Sequence, residues 1–132
     1  MTVNIAMLIL SLALLLLIQL VQAQHTVNLH GVAYALSSRD KPVDVGVFGG
    51  RMQRAKVNLL ENMMLFAPVS VLAEALHLTG ATITWGAVLF FAARVVHLVT
   101  YLAGVAVVRT LSWFVGVIGC ALLALAEIGW IG

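Results

Sequence analysis

Residues 3–21 read VNIAMLILSLALLLLIQLV, and this run decides the fold class. Leu, Ile and Val fill 13 of its positions, and no charged side chain interrupts it. Each such residue favours the centre of a lipid-embedded helix by about 0.3–0.6 kcal/mol, so the run inserts as a spanning helix. It has some look of a signal peptide, because Val21-Gln22-Ala23 could pass for a cleavage site. Its n-region has no Lys or Arg, however, and its apolar core is long for an h-region, so retention is expected. The helix is expected to run on to about Leu36, with Gln22-Ala23-Gln24-His25 making its far end less lipid-like.

Three further apolar segments follow, over about 57–78, 83–108 and 111–131. Each is long enough for a spanning helix, which needs roughly 20 apolar residues. Helices are the only option, since so few strands could not close a barrel. The composition agrees: of 132 residues 63% are hydrophobic and 9% charged, with mean hydropathy +1.11. A soluble domain carries about 25% charged residues, so lipid must be the main solvent. The expectation is an all-α integral membrane protein, one four-helix bundle domain over 1–132, with the lipid bilayer as its first partner. The net charge of +2 gives no reason to expect nucleic acid.

The connections set the topology. Residues 37–50 form the one substantial loop, with Pro42 and the pair Gly49-Gly50 arguing for a turn. The second connection lies around Thr79-Gly80 and the third around Arg109-Thr110. Short connections make sequential helices antiparallel neighbours. Arg39, Lys41, Arg51, Arg54, Lys56 and Arg109 then fall on one side, six of seven basic residues. The positive-inside rule makes that side cytoplasmic. The expected setting is multi-pass in the cell inner membrane, with both termini on the non-cytoplasmic side. Trp85, Trp113 and Trp130 fall near predicted helix ends, as an interfacial aromatic belt would place them.

Charged groups at membrane depth cost about 2.5–3.5 kcal/mol on insertion scales, so they face a protein interior or water. Two stripes stand out. Arg51, Arg54, Asn58 and Glu61 share a helix face within an arc of about 80°. Arg94, His97 and Tyr101 share another within about 60°. The plainest account is a juxtamembrane pair of positives plus a packing network in which Arg94 forms a structural ion pair with Glu61. The stronger account is a polar site between two helices.

Other polar residues have blander readings. Glu74, His77 and Glu127 lie near predicted helix ends and can reach the interface. His25 and His30 are five apart, a poor spacing for a shared metal ligand pair, and no metal is expected. Cys120, the only cysteine, excludes an intramolecular disulfide and reads as packing. Pro68 is expected to kink the second helix.

The string Arg51-Met-Gln-Arg54-Ala-Lys-Val-Asn58-Leu-Leu-Glu61-Asn resembles the second-helix motif of MAPEG proteins, the membrane-associated proteins in eicosanoid and glutathione metabolism. Arg94-Val-Val-His97-Leu-Val-Thr-Tyr101 resembles their third-helix motif, and Arg109-Thr110 the pair that opens helix four. The resemblance runs from Arg39 to Trp113 in matching order. It implies a homotrimer with a glutathione site between neighbouring subunits, open toward the cytoplasmic leaflet. Arg39, Arg51 and Arg54 would hold the peptide's carboxylates, and Asn58 and Glu61 its polar backbone and amine. His97 and Tyr101 would line the same cleft. Arg109 would face the sulfur, with Thr110 beside it, as the catalytic pair. Val57 stands where prostaglandin E synthase-like members carry an additional Arg, and the run from Tyr101 to Arg109 is one residue shorter. The pattern is closer to the bacterial branch.

The implied function is thiol-dependent transfer or peroxide reduction on a small lipophilic electrophile, with glutathione as co-substrate. On this reading the protein needs no nucleophile, base or metal of its own, because one cation in a low-dielectric cleft can hold the thiolate. A non-catalytic scaffold or binding protein is the competing class. A small exporter is a third, disfavoured because helix one has no acidic residue.

Overall fold

The computed structural model describes residues 1–129 and contains four helices. They are α1 (Val3–Ala35), α2 (Gly46–Ala75), α3 (Ala81–Ala103) and α4 (Ala106–Glu127), with no strand among the described residues. All four are long and apolar enough to cross a membrane. Trp130 and Ile131, assigned to the fourth span and its aromatic belt, lie outside the described residues.

At 1.5 Å per residue, the 23 residues of α3 and 22 of α4 reach about 33–35 Å, close to the ~30 Å hydrocarbon core. The 33 residues of α1 and 30 of α2 reach about 45–50 Å. The surplus lies at the loop end, where Arg51, Arg54 and Lys56 ride on the first turns of α2. The second helix therefore starts eleven residues before the apolar run at Val57. Gly31, at φ 78°, breaks the helical path near the end of α1. Beyond it the loop is pinned back onto α1: Nε2–H of His30 donates to the Asp44 carbonyl at 2.8 Å, and Nε2–H of His25 to that of Val45 at 3.0 Å. A carbonyl can only accept, so the ring nitrogen carries the proton in both.

The third connection is not at Arg109-Thr110. α3 ends at Ala103, and Gly104 takes a left-handed φ of 81°. The amides of Val105 and Gly104 then close on the carbonyls of Thr100 and Tyr101 at 2.9 and 3.2 Å, a two-bond helix stop that needs this backbone conformation. Only Gly104 and Val105 separate α3 from α4, and Arg109 and Thr110 sit in the first turns of α4. Trp113 consequently lies well inside a helix rather than at its end, whereas Trp85 is 61% exposed in the first turns of α3.

The bundle closes through small residues and stacked rings. A Cβ on Gly119 would lie 2.6 Å from the Gly86 carbonyl oxygen, so α3 and α4 cross backbone to backbone. In lipid such close approach replaces the hydrophobic effect as the source of helix association. Phe66 of α2 and Phe90 of α3 stack at 3.8 Å between centroids, both fully buried. Asn4 Nδ2 donates to the Ser70 carbonyl at 3.0 Å, and Thr2 donates to the Glu74 carboxylate, tying α1 to α2 near the chain's N-terminal end. Pro68 lies inside α2, which continues as helix on both sides.

Candidate functional site

Three helices contribute to one cleft of about 490 Å³. From α2 come Arg54, Asn58 and Glu61, spaced four and three residues apart and so on one face. From α3 come His97 and Tyr101, again four apart. From α4 come Arg109, Thr110 and Trp113. Tyr101 is the hub. The Arg109 guanidinium carbon lies 4.7 Å from its ring centroid and that of Arg54 6.0 Å. The His97 ring meets Tyr101 edge-on at 5.5 Å. Cation–π contact is worth about 0.5–2 kcal/mol and orders both guanidinium groups without consuming their N–H donors. Two cations, one carboxylate and a phenol thus face one space.

Arg94 does not pair with Glu61. It is 2% exposed and turns toward α4. Its Nη1 donates to Asn58 Oδ1 at 3.1 Å, and its Nη2 to the Ser112 and Trp113 carbonyls at 3.2 and 3.3 Å. Gly116 makes this possible: a Cβ there would lie 2.3 Å from Nη2. Neutral acceptors take both Nη groups of the buried cation, its Nε–H is left without a partner, and Glu61 stays exposed on the cleft wall and avoids the desolvation that a buried ion pair would impose. Arg94 thereby joins α2, α3 and α4 and engages the Asn58 side-chain oxygen. Among the described residues no three His, Cys, Asp or Glu side chains gather in a metal-holding group.

The sequence model of the MAPEG family matches residues 3–129. The chain belongs to the MAPEG family. No curated protein and no solved structure gives a match.

Two of the cations expected in the site of this MAPEG chain lie elsewhere. Arg51 does not border the cleft. Its Nη1 donates to the Leu102 carbonyl at 2.9 Å, capping the end of α3, and its guanidinium crowds Gly104. Arg39 borders a second cleft of about 380 Å³ between α1 and α2, beside Gln22 and Lys56. Its Nη2 donates to the Ala35 carbonyl at 2.9 Å. Gln53 borders both clefts and hydrogen-bonds Gln22. Gln53, Val57 and Trp113 were absent from the expected set. Trp113 could have been found, since it follows Arg109 by four residues and so shares its face. It was assigned to the interface because the start of α4 was placed too late.

Proposed function

We propose that this MAPEG-family membrane protein is a thiol-dependent transferase or peroxidase acting on small lipophilic electrophiles, with glutathione as the co-substrate. The observation that carries the reading is the convergence of Arg54, Glu61, Tyr101 and Arg109 from three helices on one cleft. Glutathione offers two carboxylates, an amine and a thiol. Arg54 is suited to a carboxylate, Glu61 to the amine, and the Asn58 amide to the peptide backbone. Arg109 is assigned the sulfur.

A free cysteine thiol has a pKa near 8.5, so most of it is protonated at neutral pH. Lowering that value by about two units needs roughly 2.7 kcal/mol of preferential thiolate stabilisation. A guanidinium a few ångström from the sulfur, in a cleft of reduced dielectric, supplies that order of energy. The electrophile reaches the sulfur from the lipid side. We further propose a homotrimer in the cell inner membrane, in which a neighbouring subunit covers the open side of the cleft.

The deciding experiment is calorimetric titration of the detergent-solubilised protein with glutathione. Wild type should bind saturably, and Arg54→Ala should weaken binding about tenfold or more, as expected for a hydrogen bond to a charged group. Absence of wild-type binding at millimolar glutathione would remove the reading and favour a non-catalytic scaffold.

A further inference from the structure

We propose that the second cleft, between α1 and α2, binds the headgroup of an anionic phospholipid that carries free hydroxyls, as phosphatidylglycerol does. The inference does not depend on the thiol-dependent reading above. The cleft measures about 380 Å³, within the ~300–1,000 Å³ of small-molecule sites. Arg39 and Lys56 border it, and no Asp or Glu does. Arg39 spends one of its five N–H donors on the Ala35 carbonyl at 2.9 Å, which steadies the guanidinium and leaves the other donors for a ligand. Its backbone is held at φ 57°, a conformation uncommon outside glycine, with its amide donating to Ser37 Oγ at 3.2 Å. The place of this cation is therefore imposed by the turn and is not that of a freely moving loop.

The amides sort the remaining chemistry. Gln22 Nε2 donates to Gln53 Oε1, which uses the Gln53 acceptor and leaves its N–H groups. The Thr26 hydroxyl proton goes to the Gln22 main-chain carbonyl at 3.0 Å, so the Thr26 oxygen is an acceptor. Two cations and the Gln53 amide suit a phosphate. The Gln22 side-chain oxygen and the Thr26 hydroxyl suit a hydroxyl donor. An ammonium-bearing headgroup would meet two like charges and no carboxylate.

Depth favours a lipid over a free anion. Gln22 lies about 28 Å along α1 from its start at Val3, where the ~30 Å hydrocarbon layer gives way to headgroups. Toward the membrane centre the Gln19 stripe continues as Leu16 and Leu12, and the Lys56 stripe as Leu60 and Met64, all exposed. Acyl chains attached to a phosphate in the cleft would lie along these side chains. Basic pockets between helices at a membrane surface take anionic headgroups by this logic.

Native mass spectrometry of the detergent-solubilised full chain tests it, with dioleoylphosphatidylglycerol and dioleoylphosphatidylethanolamine as probes. The first should bind saturably, about tenfold or more tighter than the second, since each basic residue near an anionic lipid contributes about a factor of five. Equal affinities would overturn the proposal. Arg39→Gln and Lys56→Gln should each weaken phosphatidylglycerol about fivefold and leave phosphatidylethanolamine unchanged. Lys41→Gln, in the same loop but not bordering the cleft, should stay within about twofold. Equal losses in all three variants would mean attraction to overall charge and would overturn the site. Millimolar inorganic phosphate should not displace the lipid, and displacement would overturn the lipid assignment. Millimolar glutathione should also leave the lipid bound, and competition would overturn the proposal by returning Arg39 to the thiol's site. A chain that binds phosphatidylglycerol selectively but no glutathione would sink the thiol-dependent reading and support this one.

Discussion

Arg94 has five N–H donors and no carboxylate among its hydrogen-bond partners. Its surroundings are the carbonyls of two consecutive α4 residues, an asparagine oxygen and the bare backbone of Gly116. Gly116→Ala should therefore destabilise the bundle by about 1–3 kcal/mol, the usual cost of forcing atoms into a packed site. Thermal unfolding in detergent measures it. In the Arg94→Met background the same substitution should cost less than half as much, and equal costs in both backgrounds would show that the contact is immaterial. The residue stripes were legible in the sequence because helical periodicity places them. The partner of Arg94 was not, since main-chain acceptors leave no trace in residue identity, and the nearest acid in sequence pattern was taken instead. Arg51 misled for the same reason: it serves the Leu102 carbonyl, not the cleft.

Among the helices, α3 and α4 show how apolar continuity can mislead. Hydropathy stays high from Val105 to Val108, so the third segment was extended to Val108 and the turn placed at Arg109. Hydropathy reports depth in lipid; it does not report where the chain reverses. Gly104 carried the missing signal, being the residue that accepts φ 81° without strain. That there are four spans, and that consecutive ones are neighbours, was legible; where the second, third and fourth begin and end was not. The crossing of α3 on α4 was not, because it depends on two glycines from different helices meeting. Gly119→Ala should cost about 2 kcal/mol or more, since the new Cβ meets the Gly86 carbonyl oxygen and the Phe90 amide, which cannot rotate away. Gly50→Ala is the control, where the nearest atom is the end of the Arg54 side chain at 3.4 Å, and it should stay within about 0.5 kcal/mol. Similar melting temperatures for the two variants would refute a backbone-limited contact.

Taken whole, the bundle puts six of its seven Lys and Arg residues, the longer loop and the α3–α4 join at one end, and the α2–α3 connection and the N-terminal residue at the other. With the orientation expected from the positive-inside rule, a cysteine at Ser38 should react with an impermeant maleimide only in inverted inner-membrane vesicles, and one at Thr79 only in right-side-out spheroplasts. Replacing Cys120 alone provides the cysteine-free background. The opposite pattern would reverse the orientation. The join between α3 and α4 has a mechanical consequence. With two residues of chain between them and a glycine contact along their length, these helices cannot part at this end, so the span from Tyr101 to Arg109 is fixed. At this end the chain ties α2 to α1 through the ten residues 36–45, and the Arg51–Leu102 hydrogen bond links it to α3. A bulkier reactant must therefore find its room by displacing the Arg54 wall, and the Tyr101–Arg109 wall acts as the jaw that stays still.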